Sequence, residues 1–173
     1  MNEIIEILKY IAPALVVFAT AYFMLQKLID NDQRKRKLEM ISANQRIITP
    51  IRLQAYERLV LFLERIAPDA LIMRSMQQQM TAKQMQSEML STIRAEYQHN
   101  VSQQIYISAN AWKVIKSVKE NLIKLINSAA DNVAPDASAM ELGKKILEVM
   151  MKLEVSPTEP GLQYLKEEIN KFF

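Results

Sequence analysis

The chain carries no charge from Tyr10 to Gln26, and the tetrad Arg34-Lys35-Arg36-Lys37 follows soon after that run. A helix over the run spans about 26 Å, slightly less than the hydrocarbon core of a bilayer. Lys9 and Lys27 bracket it. Their long stems lie along apolar surface while the ammonium groups reach outward, so Ile7, Leu8, Leu28 and Ile29 extend the apolar segment. Ile11, Leu15, Val16, Val17, Phe18 and Leu25 form its body, and Tyr10, Tyr22 and Phe23 sit near its ends, where interfacial aromatics collect. Pro13 falls where a helix loses few internal bonds. The pattern predicts a single transmembrane anchor over residues 1–29.

Two other readings compete with an anchor. Ala19-Thr20-Ala21 has the small residues of a signal-peptide cleavage site, but Glu3 and Glu6 stand beside a lone Lys9 where a basic leader is required. The apolar run also continues past that site. A buried helix of a soluble protein would leave the basic flank as coincidence. Lys27, Arg34, Lys35, Arg36, Lys37 and Arg46 all follow the run, which predicts an outward N-terminus and a cytoplasmic C-terminal domain.

About 140 residues remain beyond the anchor, enough for one ordinary domain with a core. Two glycines disfavour a sheet with tight turns, and the absence of cysteine excludes disulfides, zinc–thiolate sites and cysteine nucleophiles. Met, Leu, Ile, Lys, Glu, Gln and Ala dominate residues 31–173, and all suit helices. The net charge is +3, with the surplus just beyond the anchor and near balance from Lys113 to Lys171. A globally basic nucleic-acid binder is not expected.

The helical pattern divides in stages. Residues 30–49 predict a juxtamembrane helical stalk that Pro50 interrupts. Ile51 to Ile66 is apolar over more than half its circumference (Ile51, Ala55, Tyr56, Leu59, Val60, Phe62, Leu63 and Ile66), as a central bundle helix is. Ala67-Pro68-Asp69 ends it and caps the next. Met73, Met76 and Met80 share one helical face, and Met85, Met89, Ile93 and Tyr97 another, rotated by roughly a third of a turn at 100° per residue. Thr81 and Gln84 form a capping box at the join, which predicts a break or kink there; an unbroken helix with two apolar faces is the alternative.

Ser108 or Asn110 opens the next helix, which runs through Asn127 with Val114, Ile115, Val118, Leu122, Leu125 and Ile126 on one side. Lys113, Lys116, Glu120 and Lys124 make the other side, a solvated face. Ser138-x-x-Glu141 reads as a second capping box, leading a helix to Leu153 with Leu142, Ile146, Leu147, Val149 and Met150 inward. Glu141–Lys145 and Glu148–Lys152 fall at i,i+4 on its outer face. Gly143 lies on the apolar side, where it permits close helix contact or is merely tolerated at about 1 kcal/mol. Ser156-Pro157-Thr158-Glu159 starts the last helix, with Pro160 leaving the start ambiguous, and Leu162, Leu165, Ile169 and Phe172 form its stripe. The expectation is all-α: a single transmembrane helix followed by a cytoplasmic bundle of about five helices over residues 50–173.

Candidate chemistry is sparse. Glu96-x-x-His99 has the i,i+3 spacing of carboxylate-bridged di-iron bundles, but those need two such motifs and two more glutamates, and this chain has one histidine. A symmetric dimer using Glu57 or Glu64 would complete such a site; a polar contact between helices is the simpler reading. Met73-x-x-Met76 and its neighbours suit Cu(I), which belongs to oxidising compartments; core filling or an adaptable partner surface over Met73, Met76, Met80, Met85 and Met89 fits better. The Gln77-Gln78-Gln79 run reads as a solvated helix face. Arg34, Lys35, Arg36 and Lys37 act as a topology signal, with anionic lipid or nucleic acid as alternative ligands. No Gly-rich phosphate loop and no Ser-His-Asp set occur, and no cofactor or small-molecule substrate is expected.

The stretch Arg94-Ala-Glu-Tyr-Gln-His-Asn-Val-Ser-Gln-Gln-Ile-Tyr-Ile-Ser108 precedes Trp112, and with Pro50-Ile-Arg-Leu-Gln-Ala-Tyr-Glu-Arg58 it resembles an uncharacterised family of single-pass membrane proteins from Bacteroidota. The resemblance implies a bacterial inner-membrane protein and carries no activity. It makes Glu96, His99, Asn100, Gln103 and Trp112 the first place to look for a partner contact or a polar network between helices. The resulting expectation is a non-enzymatic scaffold, adaptor or accessory subunit of an inner-membrane complex, bound to a protein partner or to further copies of itself.

Overall fold

The computed structural model describes residues 2–171. The side chains of Ile7, Leu8, Lys9 and Tyr10, and the whole of Phe172, lie outside the described residues. Among the described residues the chain is helical, without strands: α1 (Asn2–Arg65), α2 (Pro68–Ser75), α3 (Ala82–Asn100), a 3-10 turn (Val101–Ile105), α4 (Ala109–Ala130), α5 (Ala139–Met151) and α6 (Glu159–Asn170). The chain divides into two compact units, Met1–Thr49 and Pro50–Phe173.

In the first unit every described side chain from Ile11 to Thr49 is exposed. Leu15, Val16, Val17 and Phe18 follow one another at 100° steps, so the helix is apolar in all directions at this level. Thr20, Tyr22 and Gln26 find partners within the helix. Thr20 Oγ1 donates to the Val16 carbonyl at 2.8 Å, and Gln26 Nε2 donates to the Tyr22 hydroxyl at 2.8 Å. Phe18 stacks on Tyr22 with centroids 6.5 Å apart. This is one helix long and apolar enough, by length and composition, to cross a membrane.

Pro50 does not end the helix, contrary to the sequence expectation: α1 continues to Arg65. A proline inside a helix removes one N–H, so the Arg46 carbonyl loses its i+4 donor. Residues 46 and 50 are exposed, which leaves that carbonyl open to solvent.

The second unit is built round the last four turns of α1. Ala55, Tyr56, Leu59, Phe62, Leu63 and Ile66 recur at helical spacing and are all buried. Met85, Met89 and Ile93 of α3 face the same core, with Ile115, Val118, Leu122 and Ile126 of α4, Leu142 and Ile146 of α5, and Leu162 and Leu165 of α6. The caps of α3, α4 and α5 are where the local sequence puts them. Thr81 and Gln84 complete a reciprocal box, at 3.0 and 3.2 Å, so the chain does break before α3. Ser108 Oγ accepts from the Ala111 amide at 3.0 Å and Ser138 Oγ from the Glu141 amide at 3.4 Å. The starts of α3 and α5 are also stitched to each other: Ala82 N–H donates to Ala137 O at 2.7 Å and Ala139 N–H to Met80 O at 2.9 Å.

Several expectations need correction. α5 stops at Met151, and Leu147 is exposed because the inward stripe is the narrower set Ala139, Leu142, Gly143 and Ile146, with Met150 partly buried against the core. Lys145 bridges Glu148 at i,i+3, in place of the expected Glu141–Lys145 and Glu148–Lys152 pairs. α6 begins at Glu159 with Thr158 as its N-terminal boundary residue and Pro160, not Pro157, in its first turn.

Candidate functional site

The polar stretch at the end of α3 is drawn into two separate arrangements. Glu96, only partly exposed, takes Arg65 of α1 at 3.3 Å and Arg74 of α2 at 3.7 Å. Arg74 also donates to the Arg65 carbonyl, which closes the end of α1 against α2. Two guanidinium groups on one carboxylate make a lock for three helices. His99 is exposed on the same cleft of about 230 Å³, beside Arg58 and Leu61. Among the described residues no three His, Cys, Asp or Glu side chains gather as a metal site. Glu96 is thus engaged by arginines.

Asn100 is buried and donates to the Glu96 carbonyl at 2.9 Å, while Gln103 is buried and donates to Ser102 Oγ at 3.3 Å. Both bonds stay within one or two turns of the chain, so these amides hold the α3 end and the 3-10 turn in shape. Trp112 joins an aromatic stack instead. Its ring lies 5.4 Å from Tyr97, which in turn tilts against Phe62 at 6.1 Å. Lys119 places its ammonium 4.2 Å from the centre of the Tyr97 ring and bridges Glu120 at 2.9 Å. That bond holds the Glu120 carboxyl below its usual range.

The methionines separate by depth. Met85 and Met89 are fully buried and belong to the core, so they are removed from any partner surface. The helical face expected for Met73, Met76 and Met80 does not exist as such, because α2 ends at Ser75 and the chain turns through Gln77–Gln79. Gln79 has φ 65°, the left-handed region that L side chains rarely adopt. Met73 stands 84% exposed, and Met76 lies over Gly143 of α5, its Cε 3.2 Å from where a Cβ would stand. A concave surface lined by Met76, Met80 and Met140 opens beside it. Met140, Leu147 and Met151 share one exposed stripe of α5 at i, i+7 and i+11, with Met151 87% exposed.

The model of a family of unknown function matches residues 2–172. The chain belongs to this family, DUF7935. No curated protein and no solved structure matches it. The match covers both the apolar run and the bundle, so the two units described above together make up one family unit.

Sequence reasoning missed the arginines that hold Glu96, since Arg65 and Arg74 stand on other helices and nothing local pairs them. It also missed a cluster in which buried Tyr56 and Glu168 meet half-buried Arg52. The Glu168 carboxylate meets the Tyr56 hydroxyl, and Arg52 Nε donates to the Tyr106 carbonyl at 3.0 Å. One signal was available: Glu168 falls three residues after Leu165, an acid on the inward stripe of α6.

Proposed function

We propose that the protein is a membrane-anchored scaffold or adaptor whose helical bundle docks a protein partner. The observation that carries this reading is the exposed apolar stripe Met140, Leu147 and Met151 beside the Met76 concavity. Unbranched thioether side chains adapt to a partner's shape, which suits a docking surface better than a fixed substrate pocket. The apolar, exposed run of α1 supports the anchor, because water would solvate it poorly. The cations after the run support a cytoplasmic bundle and an N-terminus outside, and the resemblance to the Bacteroidota family implies a bacterial inner membrane. The reading assigns the bundle no catalysis.

The test is capture of the partner by the full-length chain in its own membrane. A photo-crosslinking residue at Leu147 or Met140 is expected to give a discrete adduct of defined mass, absent when the probe replaces Lys116 on α4. Met140→Glu with Leu147→Glu should abolish co-purification of that partner while the thermal midpoint of the bundle stays within a few degrees. Adducts at Lys116 equal to those at Leu147 would defeat the proposal.

A further inference from the structure

We infer that Arg34, Lys35, Arg36 and Lys37 form a collar that binds anionic phospholipid headgroups; this rests on reading α1 as a membrane anchor. Four consecutive residues of an α-helix point in four directions, at 100° steps, and all four of these side chains are exposed. A nucleic-acid duplex or an acidic protein face meets a helix from one side and would be served by cations at i, i+3, i+4 and i+7. A layer of headgroups surrounds the helix, and only that ligand reaches a cation set facing every way.

The axial position agrees. Arg34 lies about 7.5 Å and Lys37 about 12 Å beyond Ile29 along the helix axis, while the polar interface extends about 5–7 Å past the hydrocarbon edge. Side chains on an α-helix lean towards its N-terminus, which in this segment is towards the apolar run. The guanidinium and ammonium groups therefore reach back from their own backbone level into the headgroup layer. Direction matters here, because a basic tetrad placed ahead of an anchor would lean away from the bilayer.

Charge in the stretch remains positive after local pairing. Lys27 and the tetrad stand against Asp30 and Asp32, and Arg36 bridges Asp32 at 3.0 Å. Among the described residues no ion pair engages Arg34, Lys35 or Lys37. Arginine offers a planar fork to a phosphodiester and lysine a mobile point charge, so the collar takes phosphate of varied orientation.

The full-length chain, purified in detergent with an equimolar mixture of phosphatidylglycerol and phosphatidylcholine, tests the inference by native mass spectrometry of retained lipid. Near a membrane surface each cation contributes about fivefold to affinity, so phosphatidylglycerol should be retained at least tenfold over phosphatidylcholine. The preference should fall to parity in R34Q/K35Q/R36Q/K37Q and persist in K113Q/K116Q/K124Q on α4. Parity in the unaltered chain, or an undiminished preference in the quadruple variant, overturns it. Capture of duplex DNA by the tetrad with no lipid preference overturns it in favour of a nucleic-acid ligand. Alkaline carbonate washing of reconstituted vesicles separates the two proposals. A chain that stays in the bilayer yet shows lipid parity loses the collar and keeps the anchor, whereas a chain that washes out loses both.

Discussion

The Cε of Met76 lies 3.2 Å from the point where a Cβ on Gly143 would stand, whereas Leu63 Cδ1 lies 2.9 Å from the corresponding point on Gly161. The first neighbour is the free end of a flexible thioether. The second is a fully buried branched side chain, backed by Val118 at 3.2 Å. Gly143→Ala should be neutral or stabilising by up to about 1 kcal/mol, since Met76 yields and alanine favours the helix. Gly161→Ala should cost about 1–3 kcal/mol through overpacking. Urea midpoints of the two variants, compared side by side, check the contrast.

Tyr56 has its pKa pushed up to about 12, first by burial, then by the hydrogen bond to Glu168 and the charge of that carboxylate, with Arg52 opposing. The folded state thus holds the phenolic proton more tightly than the unfolded chain, whose tyrosine titrates near 10. The stabilisation is present in full below about pH 10 and is lost as pH rises towards 12. Denaturant unfolding at pH 8 and pH 11.5 should show a loss of roughly 2 kcal/mol that is absent from Tyr56→Phe. An identical pH dependence in the two proteins would contradict this.

Gln79 holds a left-handed backbone in the turn between α2 and α3. Such a conformation costs an L residue about 1–2 kcal/mol, part of which glycine returns through its greater freedom when unfolded. Gln79→Gly should raise stability by about 0.5–1 kcal/mol, read as a higher denaturation midpoint. Gln78→Gly, one residue earlier, should not.

The anchor reading has its own check. Val17 sits in the middle of the charge-free run, and arginine at the centre of a spanning helix costs about 2.5–3.5 kcal/mol of insertion. Val17→Arg should sharply lower the carbonate-resistant fraction, while Ile47→Arg, outside the run, should leave it unchanged.

Much of the local architecture was legible from the residues. The break before α3 follows from Thr81 and Gln84, and the start of α4 from Ser108, because a cap is closed by side chains and amides within one turn. The alternation of apolar residues likewise marked Leu122 and Ile126 as inward. Pro50 was misread because a proline's cost is modest beside the packing that fixes the helix after it. Leu147 was misread because periodicity gives the direction of an apolar stripe but not its width.

The sequence by itself determined the helical class, the caps of α3, α4 and α5 and the all-round apolar run near the N-terminus, since each depends on residues within a few positions of one another. Tertiary structure alone decided the fate of residues with equal local claims. Met85 and Met89 went into the core while Met73, Met140 and Met151 stayed outside. Glu96 went to Arg65 and Arg74 and left His99 on the surface. Burial and ion pairing depend on which helices lie alongside, and those neighbours stand far apart in the chain.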